Sequence, residues 1–89
     1  MSSKRAFYRR YQRDEIYNYY EVDGNSYTVV SFLHKPPIIS CKNDSPGDGT
    51  NTKDIRENGE EITEAEYRAA YNWALNDENV IIRGIDSKS

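Results

Sequence analysis

The chain holds one cysteine, one histidine, one tryptophan and one methionine among 89 residues. Cys41 alone excludes an intramolecular disulfide, and a lone thiol fits a reducing compartment. Its neighbour Lys42 is able to lower a thiol pKa slightly, but the position suits a small apolar strand residue. His34 without cysteines at ligand spacing excludes the usual zinc patterns. Ser31 or Ser40 can be drawn with His34 and an aspartate as a triad, yet any protein with one histidine permits that drawing. No run approaches eighteen apolar residues, so no membrane-spanning helix is expected. No apolar stretch follows the charged N-terminus, so no secretory signal is read there, and a cytoplasmic location is expected. Glycines are few: Gly47-Asp48-Gly49 lies in a polar stretch with no Lys–Ser/Thr pair behind it, so it is no phosphate cradle. Residues 44–55 have some aspartates of a calcium loop, but Pro46 and Ile55 stand where it needs ligands. These absences leave no catalytic constellation. Neither an enzymatic activity nor a cofactor nor a metal is expected.

What is present is polar and aromatic. The apolar fraction is 36% and the mean hydropathy −0.97, while eight of the eleven aromatics are tyrosine. Tyrosine buries a large ring and keeps a polar tip at the surface, so such a chain can fold and also suits an interface. Its length predicts a single small domain with a thin core.

Charge is split along the chain. Lys4, Arg5, Arg9, Arg10 and Arg13 give the first thirteen residues a charge of +5, and residues 14–89 carry −8. Phe7, Tyr8 and Tyr11 are interleaved with the arginines. Such asymmetry points to a partner, intramolecular or foreign.

Residues 3–15 read as a helix, because no glycine, proline or β-branched residue interrupts them. Phe7 and Tyr11 would share one face, and Arg5, Arg9 and Arg13 would form a basic stripe. Residues 16–33 read as a β-hairpin around Asp23-Gly24-Asn25-Ser26, with Asp23-Gly24 or Gly24-Asn25 as the loop. The Gly24-Asn25 loop is preferred, because it sets Val22 opposite Tyr27, Tyr20 opposite Val29 and Tyr19 opposite Val30. In that register both faces carry large side chains. A sheet covered on one side only would leave Tyr17, Tyr19 and Phe32, or the other set, partly exposed, so something must cover the second face: the N-terminal helix, a second copy or a partner. Pro36-Pro37 ends the hairpin, and residues 38–42 suggest a short third strand. Residues 43–60 read as a long polar acidic loop. Thr63-Glu64-Ala65-Glu66 is a capping box, with Ile62 placed to staple onto Tyr67, and it opens an amphipathic helix over 63–76. Tyr67, Ala70, Tyr71 and Ala74 form its apolar face, with Trp73 beside it. Residues 80–85 suggest a last strand. The expected fold is α+β, with a three- to four-stranded, mostly antiparallel sheet.

The leading functional expectation is a small protein-binding factor that modulates or inhibits a larger partner. Its size and composition are common among accessory proteins of phages and mobile elements. Candidate contacts are Arg5, Tyr8, Arg9, Arg10, Tyr11 and Arg13 on the basic arm, and Asp44, Asp48 and Asp54 in the acidic loop. The acidic residues suit a partner with a basic surface. A second reading is nucleic-acid binding through residues 4–13, with arginines on phosphates and tyrosines stacked on bases. The sequence pI of about 5.1 speaks against it. A third is a structural subunit of a homo-oligomeric or virion assembly, and a homodimer is plausible on the tyrosine-rich face.

Overall fold

A computed structural model describes residues 5–43 and 52–84. Its elements are β1 (Arg5–Arg13), β2 (Ile16–Asp23), β3 (Ser26–Ser31), β4 (Ile38–Asn43), α1 (Thr52–Asn58), β5 (Glu60–Ile62), α2 (Glu64–Leu75) and β6 (Ile81–Arg83). The fold is α+β. One six-stranded sheet runs in the order β5-β1-β2-β3-β4-β6. All neighbours are antiparallel except β4 and β6.

The N-terminal helix expected over residues 3–15 is a strand in the described part. β1 pairs along β2, with Phe7 opposite Glu21, Arg9 opposite Tyr19 and Tyr11 opposite Tyr17. The physical reason lies in what β2 offers: an aromatic strand whose free edge needs a partner with large side chains on both faces. Asp14 and Glu15 form the connecting turn, both with positive φ (51° and 65°).

The second hairpin has the preferred register. Tyr19 faces Val30, Tyr20 faces Val29 and Val22 faces Tyr27, leaving Gly24-Asn25 as the loop. Gly24 has φ +65° at the first loop position, which a type II′ turn requires and glycine alone adopts freely. The sheet has six strands rather than three or four. β4 extends the expected third strand by one residue, and β6 is shorter than the run 80–85. The expected loop over 43–60 contains α1 and the first residue of β5, which the polarity of the segment concealed.

The helix over 63–76 is present as α2, with Thr63 as its N-cap. Thr63 Oγ1 accepts from the Glu66 amide at 3.1 Å, and Glu66 Oε1 accepts from the Thr63 amide at 3.3 Å. Ile62 packs into the same cluster as Tyr67, as a staple would.

Strand alternation gives the sheet two faces. On one, α2 buries Phe7, Val30 and Ile39 beneath Tyr67 and Ala74. On the other, α1 drops Ile55 onto Tyr20, Val22 and Tyr27. Each helix therefore closes one core. Among the described residues, no helix is long and apolar enough to cross a membrane.

Candidate functional site

The basic arm is not a stripe presented outward. As a strand, β1 divides its side chains between the two faces, and most of its charge is met within the fold. Arg9 makes a forked pair with Glu60 of β5, Nε to Oε1 at 2.9 Å and Nη2 to Oε2 at 3.3 Å. Arg10 points to the other face and reaches Asp54 of α1 at 2.9 Å. Arg5 lies 3.4 Å from Glu21 and 3.8 Å from Asp23. These pairs are half-exposed, each worth at most about 1 kcal/mol, so they set register more than stability. Arg13 is exposed and makes no ion pair among the described residues.

The expected site residues are thus dispersed. Tyr8 packs against the core under α1, whereas Tyr11 stands on the α2 face and is 59% exposed. Asp54 is an internal partner of Arg10. Asp44 and Asp48 lie outside the described residues.

A different constellation forms at one end of the α2 face. α2 crosses that face from β1 to β4, over Phe7, Val30 and Ile39, and leaves the end beside the Asp14-Glu15 turn open. An aromatic row crosses this end. Tyr11 meets Tyr17 edge-on at 5.6 Å between centroids, Tyr17 lies 6.4 Å from Tyr19, and Tyr19 lies 6.1 Å from Phe32. Phe32 in turn lies 6.3 Å from Trp73 of α2. Trp73 is 75% exposed. The rings are spaced for edge and tilted stacking, which fixes them without sealing them.

Tyr17, Tyr19 and Phe32 floor an open groove of about 860 Å³. Ala69, Ala70 and Trp73 of α2 make one wall, and His34, Lys35 and Pro37 of the β3–β4 connection make another. The small alanines let the groove run in beside the helix. Glu15, Glu66 and Asp77 also line it. Glu66 Oε1 is held by the capping box, and Asp77 Oδ1 accepts from the Asn79 amide at 2.8 Å. The guanidinium of Arg9 rests 4.5 Å over the Tyr17 ring at the margin of this row.

The expectation that the Tyr17–Tyr19–Phe32 face needs cover is thus met in part: α2 shields some of it, and the N-terminal segment shields none of it as a helix. Trp73 is the site residue that sequence reasoning missed. Its signal was a lone tryptophan placed beside, not on, the apolar stripe of Tyr67, Ala70, Tyr71 and Ala74. Glu15 was missed because nothing marked residues 14 and 15 as a turn.

Other polar groups offer less. Among the described residues, no three His, Cys, Asp or Glu side chains are placed to hold a metal ion. Cys41 is half-buried with its sulfur 3.2 Å from Thr28 Oγ1. His34 is exposed on the groove wall, whereas Ser31 and Ser40 alternate onto the opposite face. Tyr67 is 1% exposed, and among the described residues no acceptor meets its hydroxyl. Burial pushes this phenol well above its ordinary pKa, and the nearby Glu21 carboxylate pushes it further.

No family model matches this chain, and neither a curated protein nor a solved structure does.

Proposed function

We propose that this protein is a small binding factor that modulates or inhibits a larger protein, and that the partner docks on the open end of the α2 face. The observation that carries this reading is Trp73, three-quarters exposed yet tilted against Phe32 at the end of a row of rings. Tryptophan is enriched among the residues that dominate binding energy at protein interfaces. The net charge of −3 suits a partner with a basic surface.

Nucleic-acid binding through residues 4–13 is the weaker reading. Arg5, Arg9 and Arg10 are already engaged by carboxylates of the same chain. Freeing them for phosphates would leave those carboxylates facing the same backbone.

The test is affinity capture from the native host with nuclease-treated extract, comparing wild type with Trp73→Ala. A discrete protein retained by the wild type and lost by the variant, at unchanged melting temperature, is the expected result. Capture from untreated extract that is lost after nuclease treatment points to nucleic acid. Reversible self-association in sedimentation, abolished by Trp73→Ala, points to a homo-oligomer. Either result displaces the proposal.

A further inference from the structure

The groove is not simply apolar, and its charges say what fits it. Three carboxylates, those of Glu15, Glu66 and Asp77, line it against one ammonium, that of Lys35. The C-terminal end of α2 adds to this sign. Its C-cap Asn76 lines the groove, and no basic residue stands in the last helical turn to offset the negative pole of the helix dipole. The floor consists of aromatic rings, and although Tyr19 and Phe32 stand at 84° to one another, a ring that turns a face to the groove attracts a cation through its quadrupole. The molecule already uses that attraction once, where the Arg9 guanidinium lies 4.5 Å over Tyr17. Arg9 is tied to Glu60 and feels Glu66 more weakly, so its charge is largely spent within the fold and Glu15 and Asp77 remain for a foreign cation.

We propose that the groove takes an arginine or lysine side chain from an extended, basic segment of the partner. Its methylene stem lies along Tyr19 and Phe32, and its cationic head lies by Trp73 with the carboxylates as counter-charges. This rests on the protein-binding reading above and goes beyond it by naming the chemical class of the occupant. An acidic or purely aliphatic segment meets the wrong potential, and a nucleic-acid backbone meets carboxylates. The long aliphatic stems of arginine and lysine match a groove whose floor is apolar and whose rim is charged.

Trp73 is the only tryptophan in the chain, so its fluorescence reports on this groove alone. The experiment titrates the full chain with blocked pentapeptides of identical glycine–serine flanks. Their central residues are arginine, lysine, citrulline, norleucine or glutamate. The expected result is a saturable change in Trp73 emission with arginine and lysine. Citrulline, which keeps the shape of arginine without the charge, should bind about two- to fivefold more weakly, the span of an exposed cation–π contact. Glu15→Gln together with Asp77→Asn should reduce that preference toward what the rings and Glu66 alone supply. Equal affinity for arginine, citrulline and norleucine overturns the inference, as does a response to the glutamate peptide. So does saturation with arginine that leaves Trp73 emission unmoved. If the charge preference is missing but Trp73→Ala still abolishes capture of a protein, the binding reading survives with an apolar occupant. If Trp73→Ala changes nothing in the capture experiment and the wild type shows no charge preference in the titration, both fall.

Discussion

The two ends of the face beneath α2 carry the same kinds of side chain and use them differently. At one end Phe7, Val30 and Ile39 are sealed by Tyr67 and Ala74. At the other, Tyr11, Tyr17, Tyr19 and Phe32 form a continuous row that the helix only flanks, and Trp73 stands out from its edge. The difference is set by the helix surface. Tyr67 and Ala74 face inward over the closed end, whereas Ala69 and Ala70 are too small to fill the space over the open end. Burial thus falls off along one surface, with Tyr19 and Phe32 packed against the closed core and also flooring the groove, and substitutions at its extremes should separate stability from recognition.

The largest effect is expected at the closed end. Ile39 is fully buried between the sheet and α2. Ile39→Ala should cost about 2–5 kcal/mol in urea unfolding, the usual range for a cavity of that size. Trp73→Ala, at the open end, should stay within about 0.5 kcal/mol of wild type, because an exposed ring loses little on removal. If instead Trp73→Ala destabilised as much as Ile39→Ala, the open end would be a core and the division would fail.

Tyr67 gives the closed end a signature in pH. Its phenol is held neutral by burial, so its pKa in the folded state lies above the unfolded value of about 10. A group raised in this way contributes fully below the unfolded value, and its contribution falls as pH climbs above it. Stability should therefore drop above pH 10 by about 1.4 kcal/mol per pH unit from this residue. Tyr67→Phe should remove that component of the slope. Because among the described residues no acceptor lies within hydrogen-bond geometry of the hydroxyl, although the Glu21 carboxylate is near, the variant should stay within about 1 kcal/mol of wild type at pH 7. Urea titrations at pH 7 and pH 11 measure both effects. A neutral-pH loss above 1 kcal/mol would mean that the hydroxyl is bonded after all.

The two hairpin turns explain how much of this was legible. Gly24 marks its turn by chemistry, and the preferred register followed from pairing Val22 with Tyr27 and Tyr19 with Val30. The first turn carries no such mark, since Asp14-Glu15 lacks the glycine or asparagine that two positive φ angles favour. The four-residue spacings in β1 added a false cue. Phe7 and Tyr11 share a face on a helix of period 3.6, and also on a strand of period 2. Spacings of four cannot separate the two; the need of β2 for a partner decides. The α2 helix was legible because its cap box and apolar stripe are local. α1 was not, since Ile55 is its only large apolar residue and a single ring of contacts makes no periodic pattern. β5 and β6, of three residues each, are too short to show alternation. The groove itself joins the first turn, the end of β3 and α2, so it exists only once the chain is folded.

The smallest expected effect joins stability and recognition at the open end. Glu15 has φ 65°, a left-handed backbone that costs an L-residue about 1–2 kcal/mol. Glycine relieves that strain but gains freedom in the unfolded chain, so Glu15→Gly should stabilise by only about 0.5–1 kcal/mol net. Asp14→Gly, at φ 51°, should gain less, because aspartate tolerates this region better than glutamate does. The pair of variants then splits what Glu15 contributes. Glu15 lines the groove and Asp14 does not. Glu15→Gly should therefore raise the melting temperature while weakening the arginine pentapeptide, and Asp14→Gly should raise it with peptide affinity unchanged. Strain accepted at residue 15 would in that case serve to hold a carboxylate at the groove. Equal peptide affinity in both variants would reduce the turn to a connection between two strands.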